Sequence, residues 1–600
     1  MRHDPLVDFS KSPHAAVRPV PLSAVTLTGG FWGRRENLNR DVGIPHGRRM
    51  LDETGSFEAF DIAAGTIDVP LRGFVYRDSD VYKWLEAAAF AGVNADDIIA
   101  KVAGAQIEDG YVNTSFANEN AHKRFSNLAS DHEIYCAGHL MQAAVAHHRT
   151  TGETSLLDIA TKFANYLYEQ FGPDGTVGAC GHPEAEMALI ELYRTTGEDN
   201  YLTLAHRFVE ARGNGVLSGR EYVQDHIPFL DQNEAVGHAV RALYLYAGAA
   251  DFYLESGDAR YLSTLNELWD DVQKKTYITG GIGARHEGES FGEAYELPNA
   301  RAYAETCAAI ASMMWNWRMF AIRTDPKYLD TIERAMYNGF LSGISEDGKR
   351  YFYVNPLASD GNHGRKEWYD CACCPPNIYR TLASIRGMLF ATDDKGIYCN
   401  FYDNCRIDDG NYALEIITDY PATGNVRIIN HVDRHFEIIL RIPSWCSNAA
   451  VRFDGIEQLA DPGFLRLHKL WRSGDIIDLD LEMTPRNVFA NPRITDSRGC
   501  VALARGPLIY CVESADNPDL PIADLAIASN TPIDEGPVHE APLLHFEAAT
   551  PRPMENLYTD ERPEARTASV PAIALPYFAW ANREPGQMKV WLPAGSREDT

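Results

Sequence analysis

The sequence predicts a multidomain chain of the α plus β class, in which helical hairpins close into a barrel and β-sandwich domains follow. Three observations predict it. One turn motif recurs between amphipathic helical runs, the apolar period changes from helical to alternating beyond Ile397, and the thiols of Cys371, Cys373 and Cys374 gather at one point. At 600 residues the chain is too long for one apolar core, so two or three domains are expected.

Residues 1–30 come first, and Val25, Leu27, Gly29, Gly30, Phe31 and Trp32 read as a short strand and turn lent to a distant sheet. Residues 31–389 then read as helical. Leu156, Ile159, Ala160, Phe163 and Leu167 fall on one helix face that must be covered. The turn Arg149, Thr150, Thr151, Gly152, Glu153 returns as Arg194, Thr195, Thr196, Gly197, Glu198, and more loosely at Ser256, Gly257, Asp258 and at Arg323, Thr324, Asp325. Copies about 45 to 68 residues apart, each with a helix on either side, describe stacked hairpins. An open solenoid and a closed toroid both fit, and the aromatic-rich loops with a single thiol cluster favour a closed barrel around one pocket. Beyond Ile397, Phe436, Ile438 and Leu440 alternate with other residues, as Ile477, Leu479, Leu481 and Met483 do with acidic ones. Such half-buried strands suggest a sandwich at 390–485 and a second at 486–600. Pro518, Pro521, Pro532 and Pro537 mark loops, and Met588 to Trp591 a last strand before a charged tail.

Lys and Arg number 55 against 84 Asp and Glu, a net charge of −29 that repels nucleic acid and anionic membranes and leaves small neutral ligands as the expected partners. The amino terminus has no apolar core of signal-peptide length, and no later segment reaches the ~18 uninterrupted apolar residues that span a bilayer. The 11 cysteines, odd in number and unevenly spaced, argue for reduced thiols rather than a disulfide framework. A cytoplasmic location is therefore expected.

Adjacent cysteines make a strained disulfide, whereas gathered thiolates suit a soft or borderline cation such as zinc. Pro375 and Pro376 stiffen the exit from the cluster. Glu305 and Cys307 are the best upstream ligand candidates, although on spacing alone a surface charge and a buried small apolar residue fit equally. The loop from Gly280 to Glu293 lets the backbone approach a ligand, and it lacks the Lys-Ser/Thr of a phosphate loop. Glu287, Glu289, Glu293 and Glu296 are all general-acid candidates, and residue reasoning does not choose among them. His132 and His139 flank Cys136, while His182 and His238 follow glycines. Each is a structural hydrogen-bonder or a pocket residue, as are Asn377, Glu333 and Tyr353.

Taken together, the Gly-Gly-Ile-Gly loop leading to Gly288 and Glu289, Tyr295-Glu296-Leu297-Pro298-Asn299, Glu305-Thr306-Cys307, Tyr353-Val354-Asn355-Pro356-Leu357 and Cys373-Cys374-Pro375-Pro376-Asn377 resemble glycoside hydrolase family 127, the β-L-arabinofuranosidases. The resemblance extends over most of the chain. It implies an (α/α)6 barrel followed by β-sandwich domains, and a Zn2+ held by Glu305, Cys307, Cys373 and Cys374. It further implies that Cys373 is the nucleophile and Glu289 the acid/base of a retaining hydrolysis, with His132, His182, His238, Glu333 and Tyr353 contacting the sugar. His139 competes with His132 for that role, and Cys371 is a thiol outside the family's ligand set. The expected substrate is a small oligosaccharide or glycoside with β-linked L-arabinofuranose at its non-reducing end. The oligomeric state stays open, with a homodimer among the forms allowed. Two rival readings are a helical-barrel sugar epimerase or isomerase with structural zinc, and a non-catalytic carbohydrate-binding protein.

Overall fold

Six helices close into a ring: Asp78–Ala91, Glu133–Thr151, Ala185–Thr196, Ala239–Ser256, Thr306–Ile322 and Cys374–Ser384, each packed on the next and the last on the first. A second layer of six, Ile44–Glu53, Asp96–Ala105, Ser155–Phe171, Asp199–Ala211, Ala259–Gln273 and Pro326–Arg334, wraps the ring to give an (α/α)6 barrel. The computed structural model describes residues 2–527, 533–538, 540–550, 557–558, 560 and 568–594. Pro532 and the charged tail after Ala594 lie outside the described residues.

Sequence chemistry separates the two layers. Thr306–Ile322 buries every residue but Met314, as a helix surrounded by protein must, whereas Ser155–Phe171 buries Leu156, Ile159, Ala160, Phe163 and Leu167 on one face. The recurring turn is the hairpin between layers. Gly152, Gly197 and Gly257 end inner helices with φ of 84°, 81° and 68°, a left-handed conformation that glycine adopts without strain. The fourth copy lacks the glycine and starts its outer helix instead. There Asp325 accepts a hydrogen bond from the Lys327 backbone N–H at 3.0 Å, and Pro326 occupies the first turn.

Because each outer helix returns the chain, the inner helices run in parallel and their two ends do different work. At the carboxyl ends, the arginines of the repeated turn enter a buried ion network. Arg149 and Arg194 meet Glu191 at 2.5 and 2.7 Å, Arg194 meets Asp251 at 2.7 Å and Glu255 at 2.7 Å, and Arg318 meets Asp251 at 2.5 Å. The amino-terminal segment covers this end: the Asp8 backbone N–H donates to Glu191 at 3.2 Å, and Phe9 packs on Trp317. The inner amino ends form the opposite mouth.

The chain then forms two packed sheets. Arg18–Pro19, Phe390–Thr392, Gly396–Cys399, Arg434–Ile442 and Gly463–Trp471 make one. Val25–Leu27 edges the other, paired with Cys405–Asp408 and followed by Ala413–Thr418, Asn425–Asn430, Ile476–Leu481, Ala449–Phe453 and Ile456–Ala460. Ile477, Leu479 and Leu481 face the core as their alternation requires. A third sheet is built mainly from residues after Arg486, and Ala358–Asp360 of the barrel pairs with its Gln587–Lys589 strand, tying it to the barrel. Among the described residues no helix is long and apolar enough to cross a membrane.

Candidate active site

A cavity of about 320 Å³ opens among the amino ends of the inner helices. Two of those ends bring the candidate ligands together. Glu305 caps Thr306–Ile322 with Cys307 in its first turn, and Cys373 caps Cys374–Ser384, whose first turn is preset by Pro375 and Pro376. Helix amino ends carry partial positive charge and favour the anionic forms of these groups.

The donor set fits a tetrahedral cation. An ion with metal–sulfur bonds of about 2.3 Å spaces its sulfurs about 3.8 Å apart, and the three sulfurs here lie 3.4, 3.7 and 3.8 Å apart. Glu305 Oε1 is 3.6 Å from Cys373 Sγ and 3.8 Å from Cys374 Sγ, while buried Oε2 has no hydrogen-bond partner among the described residues. Protonation tells the same story. Burial and then Cys373 push the Glu305 carboxyl well up; burial and then Cys307 push Cys374 up. Burial opposes ionisation of Cys307 too, but hydrogen bonds from Cys373 and Cys374 bring it down to about 6. Four acids this close cannot all ionise unless a cation joins them.

Cys371 also lines the cavity, 3.5 Å from the Tyr76 hydroxyl and hydrogen-bonded to Cys373, which raises its pKa. It stands outside the group of four mutually close donors. On the other side of Cys373 the Tyr353 hydroxyl lies 3.2 Å from Sγ.

Of the four loop carboxylates, Glu289 alone lines the cavity. Glu296 is engaged by Arg285, which Glu293 also approaches, and Glu287 lies 3.9 Å from Arg301. Glu289 Oε2 is 2.9 Å from His238 Nε2. Burial would raise its pKa, but hydrogen bonds from His238 and Tyr303 and the charge of Arg241 hold it below the ordinary carboxylate value.

His132, His182, His238 and Tyr353 share this cavity. Burial, reinforced by Arg241, holds His132 at about 3 and lowers His182, and burial lowers His238 against the opposing hydrogen bond to Glu289, so all three rings are neutral at pH 7. His139 stands off the lining, its Nδ1 3.2 Å from Glu184.

Glu333 is elsewhere, which corrects its expected place at the sugar. Its carboxylate accepts from Arg441 at 2.7 and 3.2 Å, Tyr420 at 2.7 Å and Trp445 at 2.9 Å, joining the barrel to the middle sheets. With both oxygens engaged and buried, it has nothing left to offer a ligand.

Lys83 and Arg241 are cavity residues that the sequence reading passed over. Lys83 is buried 3.4 Å from Asp80, and Arg241 donates to Gly181 O at 2.9 Å and Tyr222 Oη at 3.2 Å with its guanidinium over the Tyr222 ring. Their signal was a cation inside an otherwise buried helix, which is rare unless paired or functional.

The family model described as "Beta-L-arabinofuranosidase, GH127 catalytic domain" matches residues 24–387, more than half the chain and every residue of this cavity. The chain belongs to glycoside hydrolase family 127. Models of the GH127 middle and C-terminal domains match residues 396–483 and 485–593. A curated non-reducing end β-L-arabinofuranosidase of Bifidobacterium longum subsp. longum is 34% identical, over 94% of this chain and 99% of its own. Crystallographically, a GH127 β-L-arabinofuranosidase from Geobacillus stearothermophilus T6 superposes with a TM-score of 0.90 at 36% identity, covering 95% of this chain and 100% of that one. A further solved GH127 β-arabinofuranosidase gives 0.90 and 36%, covering 97% and 98%. As a GH127 member the chain is a glycoside hydrolase.

Proposed function

We propose that this GH127 protein is a retaining hydrolase that releases β-linked L-arabinofuranose from the non-reducing ends of small glycans, with Cys373 as nucleophile, Glu289 as acid/base and Glu305, Cys307, Cys373 and Cys374 holding zinc. The observation that carries the mechanism is the meeting of the Glu305 and three-thiol group with Glu289 in one cavity. A Glu305 oxygen lies within 4.8 Å of Glu289 and another contact of 3.6 Å joins Glu305 to Cys373 Sγ. The sugar specificity rests on the relatives of known activity.

When bound, zinc would keep the coordinating thiols deprotonated at neutral pH. The Cys373 sulfur attacks the anomeric carbon, the bond to the leaving oxygen breaks, and Glu289 gives that oxygen its proton. Water then attacks the same carbon, Glu289 takes the water's proton, and the Cys373 thiolate departs. Two inversions give retention. His132 and His182 donate their Nδ1 protons to the Ser130 and Pro183 carbonyls, which leaves the His182 Nε2 lone pair as an acceptor for a sugar hydroxyl, while His132 Nε2 accepts from Arg241 at 3.4 Å.

The test uses purified protein, metal analysis and aryl α- and β-L-arabinofuranosides. About one zinc per chain is expected, with release of the β-anomer alone and loss of turnover by about 10³-fold or more in Cys373→Ser. Chelation should lower both activity and melting temperature. Undiminished turnover by the Cys373 variant would sink the mechanism, and a strict preference for pyranosides would sink the substrate assignment.

A further inference from the structure

His238 differs from its two neighbours in where its ring proton sits. As the cap of Ala239–Ser256, its Nδ1 accepts the Val240 backbone N–H at 3.2 Å, so that nitrogen carries a lone pair and the proton resides on Nε2. Nε2 lies 2.9 Å from Glu289 Oε2 and donates to it. His132 and His182 hold the opposite tautomer, since each gives Nδ1–H to a carbonyl.

We propose that His238 is the positioning residue of the acid/base, fixing the Glu289 carboxylate through a proton that the helix cap confines to Nε2. This rests on the reading of Glu289 given above. The backbone supports the same pairing. Gly288 and Glu289 sit at φ of 70° and 52°, an arrangement that needs outside support for the glutamate. That support comes from the segment before the helix of His238: His238 bridges Ser290, and the Phe291 N–H donates to Gly237 O at 3.0 Å.

The groups facing this pair are Arg241 from the helix of His238, Tyr222, His182, Tyr303, and Glu305 from the next inner helix. Burial, helped by Arg241, disfavours a second proton on His238 and outweighs the opposing pull of Glu289. With no lone pair turned to Glu289, the ring cannot take a proton from the carboxyl, so a proton that Glu289 gives up passes to the leaving oxygen and not to His238. His238 thereby acts on proton donation rather than on sugar affinity.

Asn and Gln separate the two ring nitrogens. Asn reproduces the capping acceptor but falls short of Glu289, whereas Gln reaches Glu289 with an N–H donor and gives up the cap. The zinc-loaded full chain and its His238→Asn and His238→Gln variants are compared on aryl β-L-arabinofuranosides graded from 2,4-dinitrophenyl to poor phenol leaving groups. For His238→Asn, kcat on the poorest leaving group should fall about 10²-fold and on the dinitrophenyl glycoside less than about fivefold, with KM within about twofold. His238→Gln should keep kcat on poor leaving groups within about tenfold of the parent. Equal losses across the series, a rise in KM alone, or Asn outperforming Gln on poor leaving groups overturns the assignment. Glu289→Gln serves as the control on the underlying reading: full turnover of poor leaving groups there removes the acid/base itself, an outcome distinct from failure of the His238 variants.

Discussion

Replacing Glu333 by Gln would strip the chief counter-charge from Arg441, whose side chain is fully buried, leaving Asp330 at 2.9 Å as its remaining partner. A loss of about 3 kcal/mol in urea unfolding is expected, because an unpaired buried charge keeps its desolvation penalty. KM for arabinofuranosides should stay unchanged, which separates this residue from the sugar pocket. His132 makes a pH-dependent contribution of known sign. Its folded-state value of about 3 lies below the ordinary 6.5, so the unfolded chain takes up the proton first. The stability is whole above pH 6.5 and is lost as pH falls from there towards 3. Melting temperature followed from pH 7 to 5 should decline about 2 °C less in His132→Gln than in the parent.

At the scale of the element, two inner-helix glycines do unlike jobs. Gly152 ends its helix at φ 84°, with nothing within 4 Å of an added Cβ. Gly152→Ala should therefore cost only the backbone strain, about 1 kcal/mol. Gly138 sits within a helix, where an added Cβ would lie 2.7 Å from Glu184 Cγ and 2.8 Å from the Ala185 backbone nitrogen. Gly138→Ala should cost about 3 kcal/mol by forcing two inner helices apart. Chemical denaturation of both variants checks the pair, and an equal cost would refute the distinction. The repeated Thr-Thr-Gly turn was readable as a hairpin end because the left-handed cap needs its glycine. Gly138 carried no such mark, since close helix approach depends on a partner distant in sequence.

For the molecule as a whole, the parallel inner helices place chemistry at one mouth and the buried ion network at the other. Deleting residues 2–9 uncovers Trp317 and the Arg149–Glu191 pair at the far end. Calorimetry should show a melting temperature lower by roughly 3 °C, with kcat/KM at 25 °C within about twofold of the parent. A large activity loss at an unchanged melting temperature would mean that the two ends are coupled.

The sequence by itself determined the order of helical and β parts, the hairpin repeat, and the thiol cluster with its proline exit, because these depend on local periodicity, turn chemistry and short spacing. Family motifs carried Glu289, Glu305 and Cys307 as well. Tertiary structure decided which loop carboxylate meets the cavity, that Glu333 turns to the sheets and away from it, and that Lys83 and Arg241 are inside. Each of those outcomes depends on which face of an element the closed ring turns inward, and on partners far away in the chain, such as Arg441, 108 residues from Glu333. Spacing along one chain does not encode that.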